Sequence, residues 1–380
     1  MKNTTYFAKI VITLSLCLGF ISNSYSQNGT LSNQATVSIL TCGNGNESYS
    51  LFGHTAIRIS DPVNFIDLVY NYGAFDFTTP NFVAKFTKGD LQYFVVSHPF
   101  LDFLNEYTYE KRSVFEQELN IPQNLKQKLF DNLNTTLYSD QRYYTYKFID
   151  KNCTSMVVDI INKTIGKNVI QQKTTLSTYR TILYPYFDNH FYEKLGTSII
   201  FGTKVDQLGN QLFLPIQLLE TLKTSLLDNR LLCKKETVLL DFKVEKPFSW
   251  WNNPYTYLLL LSIILLLNNT KINTFFLFSL AVLGIFFVFI GDYSNHKELQ
   301  YNYNILLFNP TLLLLLFFIY TKNKKWVVNL SLFNLFCLAV YVVILINKAP
   351  FLIVFPLIAL STTLLFRLAN KNRNRIPIIL

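Results

Sequence analysis

Cys153 and His54 are the side chains whose types and settings combine to do covalent chemistry. Cys153 directly follows Asn152, a favoured helix N-cap residue, and opens an amphipathic run from Cys153 to Ile165 that Gly166 stops. A thiol in the first turn of a helix meets unpaired backbone amides and the positive end of the helix dipole, which favour the thiolate, the nucleophilic form. The competing reading is a buried structural cysteine, or half of a disulfide with Cys42 or Cys233. A cysteine nucleophile needs a base that takes its proton and returns it to a leaving group. His54 is the candidate: unlike His98 and His190, it sits in a tight Gly-His dipeptide opening a strand (Phe52 to Ile57), where Gly53 permits close backbone approach. The alternative for it is a structural histidine. His98-Pro99 reads as a strand end and turn, and His190 lies in the aromatic stretch Tyr184 to Phe191. A third group fixes the tautomer of such a base, as in Cys-His-Asn arrangements. The segment Tyr70 to Phe77 offers Asn71 first and Asp76 second, and either equally suits turn hydrogen bonds near Gly73.

These residues need elements to hold them. Ala35 to Cys42, Thr55 to Ser60, Phe65 to Phe77, Leu91 to Ser97 and Ser113 to Leu119 are short, rich in β-branched and aromatic residues, and punctuated by Gly, Asn, Pro and Asp. They predict antiparallel strands. Helices follow: Asn124 to Tyr138 places Leu125, Leu129, Phe130, Leu133 and Leu137 on one face, and Cys153 to Ile165 turns Met156, Val157, Ile160 and Ile161 inward. The pattern is α+β. No repeat of solenoid period, low-complexity tract, GxxxxGK, GxGxxG or HExxH occurs. The five cysteines are too few and too scattered for a disulfide framework or a zinc site, so neither a metal nor another cofactor is expected.

Composition then places the domain. Of 380 residues, 50% are hydrophobic and 15% charged, too apolar for a disordered tail or an ordinary cytosolic enzyme. Residues 1–26 read as a secretory signal: Lys2 and Lys9 precede an apolar run from Ile10 to Ile21, and Ser24-Tyr25-Ser26 supplies small residues for cleavage before Gln27. Lipidation at Cys17 is disfavoured because Leu16 stands where a small residue is needed. Residues 27–246 have mixed, water-soluble texture. Residues 247–370 carry apolar stretches at Trp250 to Leu267, Ile272 to Ile290, Asn304 to Tyr320, Trp326 to Ile346 and Pro350 to Leu368, which predict a five-helix transmembrane bundle. Residues 371–380 form a basic tail. Net charge is +10, and much of the excess is a topology signal. Lys271, Lys322, Lys324, Lys325, Arg367, Lys371, Arg373 and Arg375 fall on the cytoplasmic side if the soluble domain is exported, against Lys297 and Lys348 outside. An exported domain meets no nucleic acid. Trp250, Trp251 and Tyr255 read as interfacial anchors.

The blocks Phe52-Gly53-His54, Tyr70 to Phe77 and Tyr146 to Thr154, with Phe201 to Asp206, Phe213-Leu214-Pro215 and His296 to Pro310, resemble the Lnb N-terminal periplasmic domain family. Its namesake is a lipoprotein N-acyltransferase of Gram-negative bacteria. The histidine-before-cysteine order is also similar to the permuted papain-like arrangement of lecithin:retinol acyltransferase and NlpC-type peptidases. The resemblance implies a permuted papain-like domain, Cys153 as nucleophile and His54 as base. Asn71 is the third member, although permuted relatives often use histidine there. It also implies a multi-pass protein of the bacterial inner membrane whose partners are a phospholipid acyl donor, diacylated lipoproteins as acceptors and the bilayer itself. Asp76, Tyr72 and Asn152 stand as supporting residues. Arg58 is a candidate to meet a phosphate, and His296 to line the path of the lipid; for each, a solvated surface is the plainer reading. Two functions compete with this one: a cell-wall amidase or endopeptidase, and a non-catalytic membrane sensor or assembly protein in which Cys153 is disulfide-bonded.

Overall fold

β-Branched and aromatic runs dominate the first half of the chain, and in the computed structural model, which describes residues 29–47, 49–243 and 249–373, they are strands of one antiparallel sheet. The signal segment, Cys17, the cleavage site, the boundary at 246/247 and Arg375 lie outside the described residues. The strands are β1 (Thr36–Cys42), β2 (His54–Asp61), β3 (Ile66–Ala74), β4 (Gln92–Pro99), β5 (Val114–Leu119) and β6 (Tyr143–Thr145); β7 (Leu226–Leu227) and β8 (Arg230–Leu231) pair only with each other, and β9 (Cys233–Leu240) closes the edge. The sheet order β6-β4-β3-β2-β1-β5-β9 makes β2, which begins with His54, the middle strand. Cys42 of β1 lies opposite His54, and Asn71 of β3 lies opposite Ala56.

Short helices α1 (Phe82–Lys88) and α2 (Phe100–Tyr109) flank β4, and α3 (Gln123–Leu137) and α4 (Cys153–Ile165) follow the sheet's first half. Alternation along the strands sends Ile57, Ile59, Tyr70 and Tyr72 to a core shared with Leu129, Leu133, Val157 and Ile161 of α3 and α4. The opposite face puts Cys42, Ala56 and Val69 against Phe103 and Tyr107 of α2. The expected helix Cys153 to Ile165 forms over those residues, and Gly166 ends it in the left-handed conformation at φ 82°. The expected strand from Phe65 to Phe77 is shorter. It stops at Ala74 after an irregularity between Tyr72 and Ala74, where Gly73 adopts φ 106°.

Helices α5 (Tyr179–Leu183), α6 (Phe191–Ile200) and α7 (Pro215–Leu222) complete the soluble part. Beyond it lie α8 (Pro254–Leu267), α9 (Thr270–Tyr293), α10 (Thr311–Tyr320), α11 (Lys324–Leu345) and α12 (Phe351–Arg373). Four stretches, Thr270–Tyr293, Lys297–Tyr320, Lys324–Leu345 and Phe351–Arg373, are long and apolar enough to cross a membrane. The first apolar segment ends at Leu267 as expected but starts late, because Asn253 caps α8 through Tyr255 and Thr256 N–H. Its 14 residues rise about 21 Å, against a hydrocarbon core of about 30 Å. At the far end α12 runs on to Arg373, into the segment read as tail.

The soluble part and the helices share extensive contacts at one end of the bundle. In the link after α9, Ser294 Oγ donates to Thr87 O at 2.7 Å, Asn295 N–H to Lys88 O at 2.8 Å, and Asn302 Nδ2 to Ile199 O at 2.9 Å. In the link after α11, Lys348 Nζ donates to Asp206 Oδ2 at 2.9 Å, and at the start of α8, Tyr192 stacks on Trp251 at 5.8 Å. At the other end Arg367 of α12 donates to Asn268 Oδ1 between α8 and α9.

Candidate active site

Cys153 is the first residue of α4, and its position is set by the residue before it. Asn152 Oδ1 accepts from Ser155 N–H at 3.0 Å while Ser155 Oγ accepts from Asn152 N–H at 2.8 Å, a reciprocal capping box. Asn152 Nδ2 donates to Phe148 O and Phe213 O, both at 2.8 Å. Asn152 is buried and cannot meet a substrate; it fixes the turn that presents the thiol.

His54 reaches that thiol. Its ring hydrogen-bonds to the Cys153 side chain, and its Nε2–H donates to Asn71 Oδ1 at 3.2 Å, which leaves Nδ1 as the nitrogen for sulfur. Asn71 stands two residues along the neighbouring strand from the position facing His54, a diagonal cross-strand pair. The sulfur also accepts from the Thr55 backbone N–H and the Thr154 side chain, and Thr55 Oγ1 lies 3.1 Å from Thr154 Oγ1. Two glycines make room. A methyl group on Gly53 would fall 2.5 Å from the Cys42 carbonyl oxygen, and one on Gly73 would stand 3.9 Å from both Cys153 Cβ and Tyr144 Oη. Both glycines have positive φ, at 79° and 106°.

The electrostatics follow from this packing. Burial opposes ionisation of Cys153, but the His54 charge and hydrogen bond, with the Thr55 amide and Thr154, outweigh it and hold the thiol below its ordinary value. Burial likewise opposes the charged form of His54, yet the Cys153 thiolate and the Asn71 contact raise it above the usual imidazole range. Both shifts favour the thiolate–imidazolium form of the pair. Cys42 is the contrast: wholly buried, its thiol is pushed up to about 12. Cys42, Cys153, Cys233 and Cys337 are all free thiols, so the disulfides of Cys153 with Cys42 or Cys233 are not formed.

Other expected residues lie elsewhere. Asp76 is exposed beyond the end of β3, where its carboxylate accepts from the Thr78 N–H and hydroxyl in a turn, because the strand ends before it. Arg58 is engaged by Asp67 at 2.8 Å and Glu116 at 3.0 Å and stacks 3.3 Å over the Phe100 ring, so its charge is already met by two carboxylates. Tyr72 is a core residue, its ring 6.4 Å from that of Tyr144. His296 is neither solvated nor in the site: it is buried, and its Nε2–H donates to Phe86 O at 3.0 Å.

Two residues escaped sequence reasoning. Tyr144 on β6 is 4% exposed, and its hydroxyl, beside Gly73 and Cys153, has no hydrogen-bond partner among the described residues. Burial and the neighbouring Cys153 keep the phenol neutral, well above its usual range. The run Tyr143-Tyr144-Thr145-Tyr146 carries a strand signal that would have marked it. Glu298, buried in the link after α9, accepts from the Ile149 N–H at 3.2 Å in the turn leading to Cys153. Its partner is 149 positions away, beyond any local pattern.

An antiparallel α+β domain joined to several apolar helices defines a multi-pass membrane protein with an extramembrane domain. Residues 23–184 match the family model of the Lnb N-terminal periplasmic domain. The match covers the strands bearing His54 and Asn71 and the helix bearing Cys153. No curated protein and no solved structure matches the chain.

Proposed function

We infer that the protein is a lipoprotein N-acyltransferase with a permuted papain-like periplasmic domain. In this reading Cys153, His54 and Asn71 are its catalytic residues. The observation that carries the reading is the Cys153 thiol hydrogen-bonded to His54, whose other ring nitrogen donates to Asn71, at the first turn of a helix. The thiolate Sγ attacks the carbonyl carbon of a phospholipid acyl ester. The oxyanion is met by the Tyr144 hydroxyl and the Cys153 amide, a first-turn N–H with no intrahelical acceptor. The C–O bond breaks, and His54 gives its proton to the departing lysophospholipid alkoxide, leaving an acyl thioester. The α-amino group of a diacylated lipoprotein then attacks the thioester carbonyl. His54 takes the amine proton as the amide forms, and the thiolate returns. Donor and acceptor are both lipid-anchored, so a site fused to the bilayer gains proximity over a soluble one.

Five crossings of the inner membrane fit this role. Trp251, the link after α9 and the link after α11 all contact the soluble domain, while Asn268 lies at the opposite end beside Arg367. In this reading the chain traverses within α8, short as it is, and the cytoplasmic side receives the basic residues of the intervening links and the C-terminus. The decisive experiment is mass spectrometry of lipoprotein N-termini from cells whose only copy is Cys153→Ala. Accumulated diacylated forms are expected; unchanged triacylation beside altered muropeptides would overturn the proposal.

A further inference from the structure

A track of aromatic rings runs from the edge of the bundle to the nucleophile. Helix α1 has no buried residue although it contains Phe82, Val83 and Phe86. Val83 is 74% exposed and Phe86 47%, and Phe77, just before the helix, is 69% exposed. An apolar cluster this open is unusual on a surface that meets only water. Its neighbours identify what covers it. Thr87 and Lys88 of α1 accept hydrogen bonds from Ser294 and Asn295, the residues that follow α9. Lys88 lies within electrostatic reach of Tyr293, which stacks on Phe289 at 5.0 Å, and both of these aromatics are exposed on the outer face of α9. The lipid-facing surface of a spanning stretch is thus continuous with α1, as a short amphipathic element at the headgroup boundary would be.

Inward from this lip the rings stay in contact. Phe86 stacks on Phe82 at 6.5 Å, Phe82 meets Phe75 at 5.9 Å, Phe75 meets Tyr93 at 5.1 Å, and Tyr93 stacks on Tyr146 at 4.4 Å. Tyr93 also lies 6.4 Å from Tyr144, the residue beside Cys153. We propose that α1 and Phe77 form a lip in the outer leaflet that receives a single lipid acyl chain, and that the rings from Phe82 to Tyr146 guide its carbonyl end to Cys153. This rests on the acyl-transfer reading and adds to it where the chain leaves the bilayer. The occupant is a hydrocarbon chain: the outer end of the track is flush with lipid-exposed surface, and ring faces and edges offer apolar contact without selecting a headgroup.

The test uses the full-length protein in vesicles of long-chain phosphatidylethanolamine, following acylation of Cys153 by intact mass, with p-nitrophenyl acetate as a second donor that needs no track. Val83→Glu and Phe86→Glu, both on exposed side chains, are expected to cut phospholipid-derived acylation at least tenfold while acetylation by p-nitrophenyl acetate holds within twofold. Val83→Leu is expected to keep both. Glutamate variants that acylate from phospholipid at the wild-type rate overturn the lip while leaving the transferase reading intact. A change of oligomer mass with unchanged acylation overturns it as well, since the patch would then be a protein interface. A wild-type protein that takes acyl groups from neither donor overturns the transferase reading and the lip with it.

Discussion

At the scale of single residues, the site is a thiol whose ionisation depends on its neighbours. Since His54 holds the Cys153 thiol low and is itself held high, alkylation by iodoacetamide should persist below the ordinary thiol range and stop only when pH falls through the depressed thiol value. His54→Ala removes the favourable charge while the burial penalty stays. The alkylation profile should then move to higher pH, and the rate at pH 7 should fall about tenfold for every pH unit by which the profile moves. A profile that does not move would mean that the imidazole is a packing residue. Tyr144→Phe should lower the rate of acyl transfer about 100-fold, the lower end for loss of one oxyanion donor, and leave alkylation of Cys153 unchanged. Asn71→Ala should slow transfer, whereas Asp76→Ala should not, because the Asp76 carboxylate is occupied by Thr78 in a turn. Sequence pattern alone ranked Asn71 over Asp76 without separating them, since alternation does not say where a strand ends.

At the scale of elements, the capped helix and the interrupted strand do the positioning. Asn152→Ala loses a capping box together with two buried hydrogen bonds, so about 1–2 kcal/mol of stability should go from the cap alone, read as a lower Tm of the purified protein. Asn152→Ser, which keeps a capping oxygen, should recover part of it. Helix α4 was legible to the residue because its start and stop signals, Asn152 and Gly166, are local. Helices α1 and α2 were not anticipated. The first is seven residues long with no buried face, and the second packs Phe103 and Tyr107 under the sheet in a way only the tertiary fold creates.

At the scale of the whole molecule, the sheet-bearing domain and the bundle are joined by a charged cluster. Arg180, 2% exposed, bonds to Asp206 at 2.6 Å, and Asp206 also accepts from Tyr303 at 2.6 Å and Lys348 at 2.9 Å. Asp206→Ala leaves a buried guanidinium without its carboxylate and should destabilise the protein by about 3–5 kcal/mol, measurable as loss of folded protein in thermal scans. Topology is checked independently: cysteines placed at Asn347 and Asn323 should be labelled by an impermeant maleimide from opposite sides. Labelling of Asn347 from the cytoplasmic side and of Asn323 from the periplasmic side would refute an odd number of crossings.

The chain's sequence alone determined the strand-rich domain, the helix that opens with Cys153, the apolar half and the candidacy of Cys153 and His54. These depend on periodicity, capping and composition, all of which are local. Tertiary structure decided that Asn71 orients His54, that Tyr144 lines the thiol, and that Arg58 and His296 are engaged elsewhere. It also set Glu298 of the bundle against the turn before Cys153. Those outcomes depend on register, on where β3 breaks at Gly73, and on contacts between residues far apart in the chain, none of which leaves a trace in spacing.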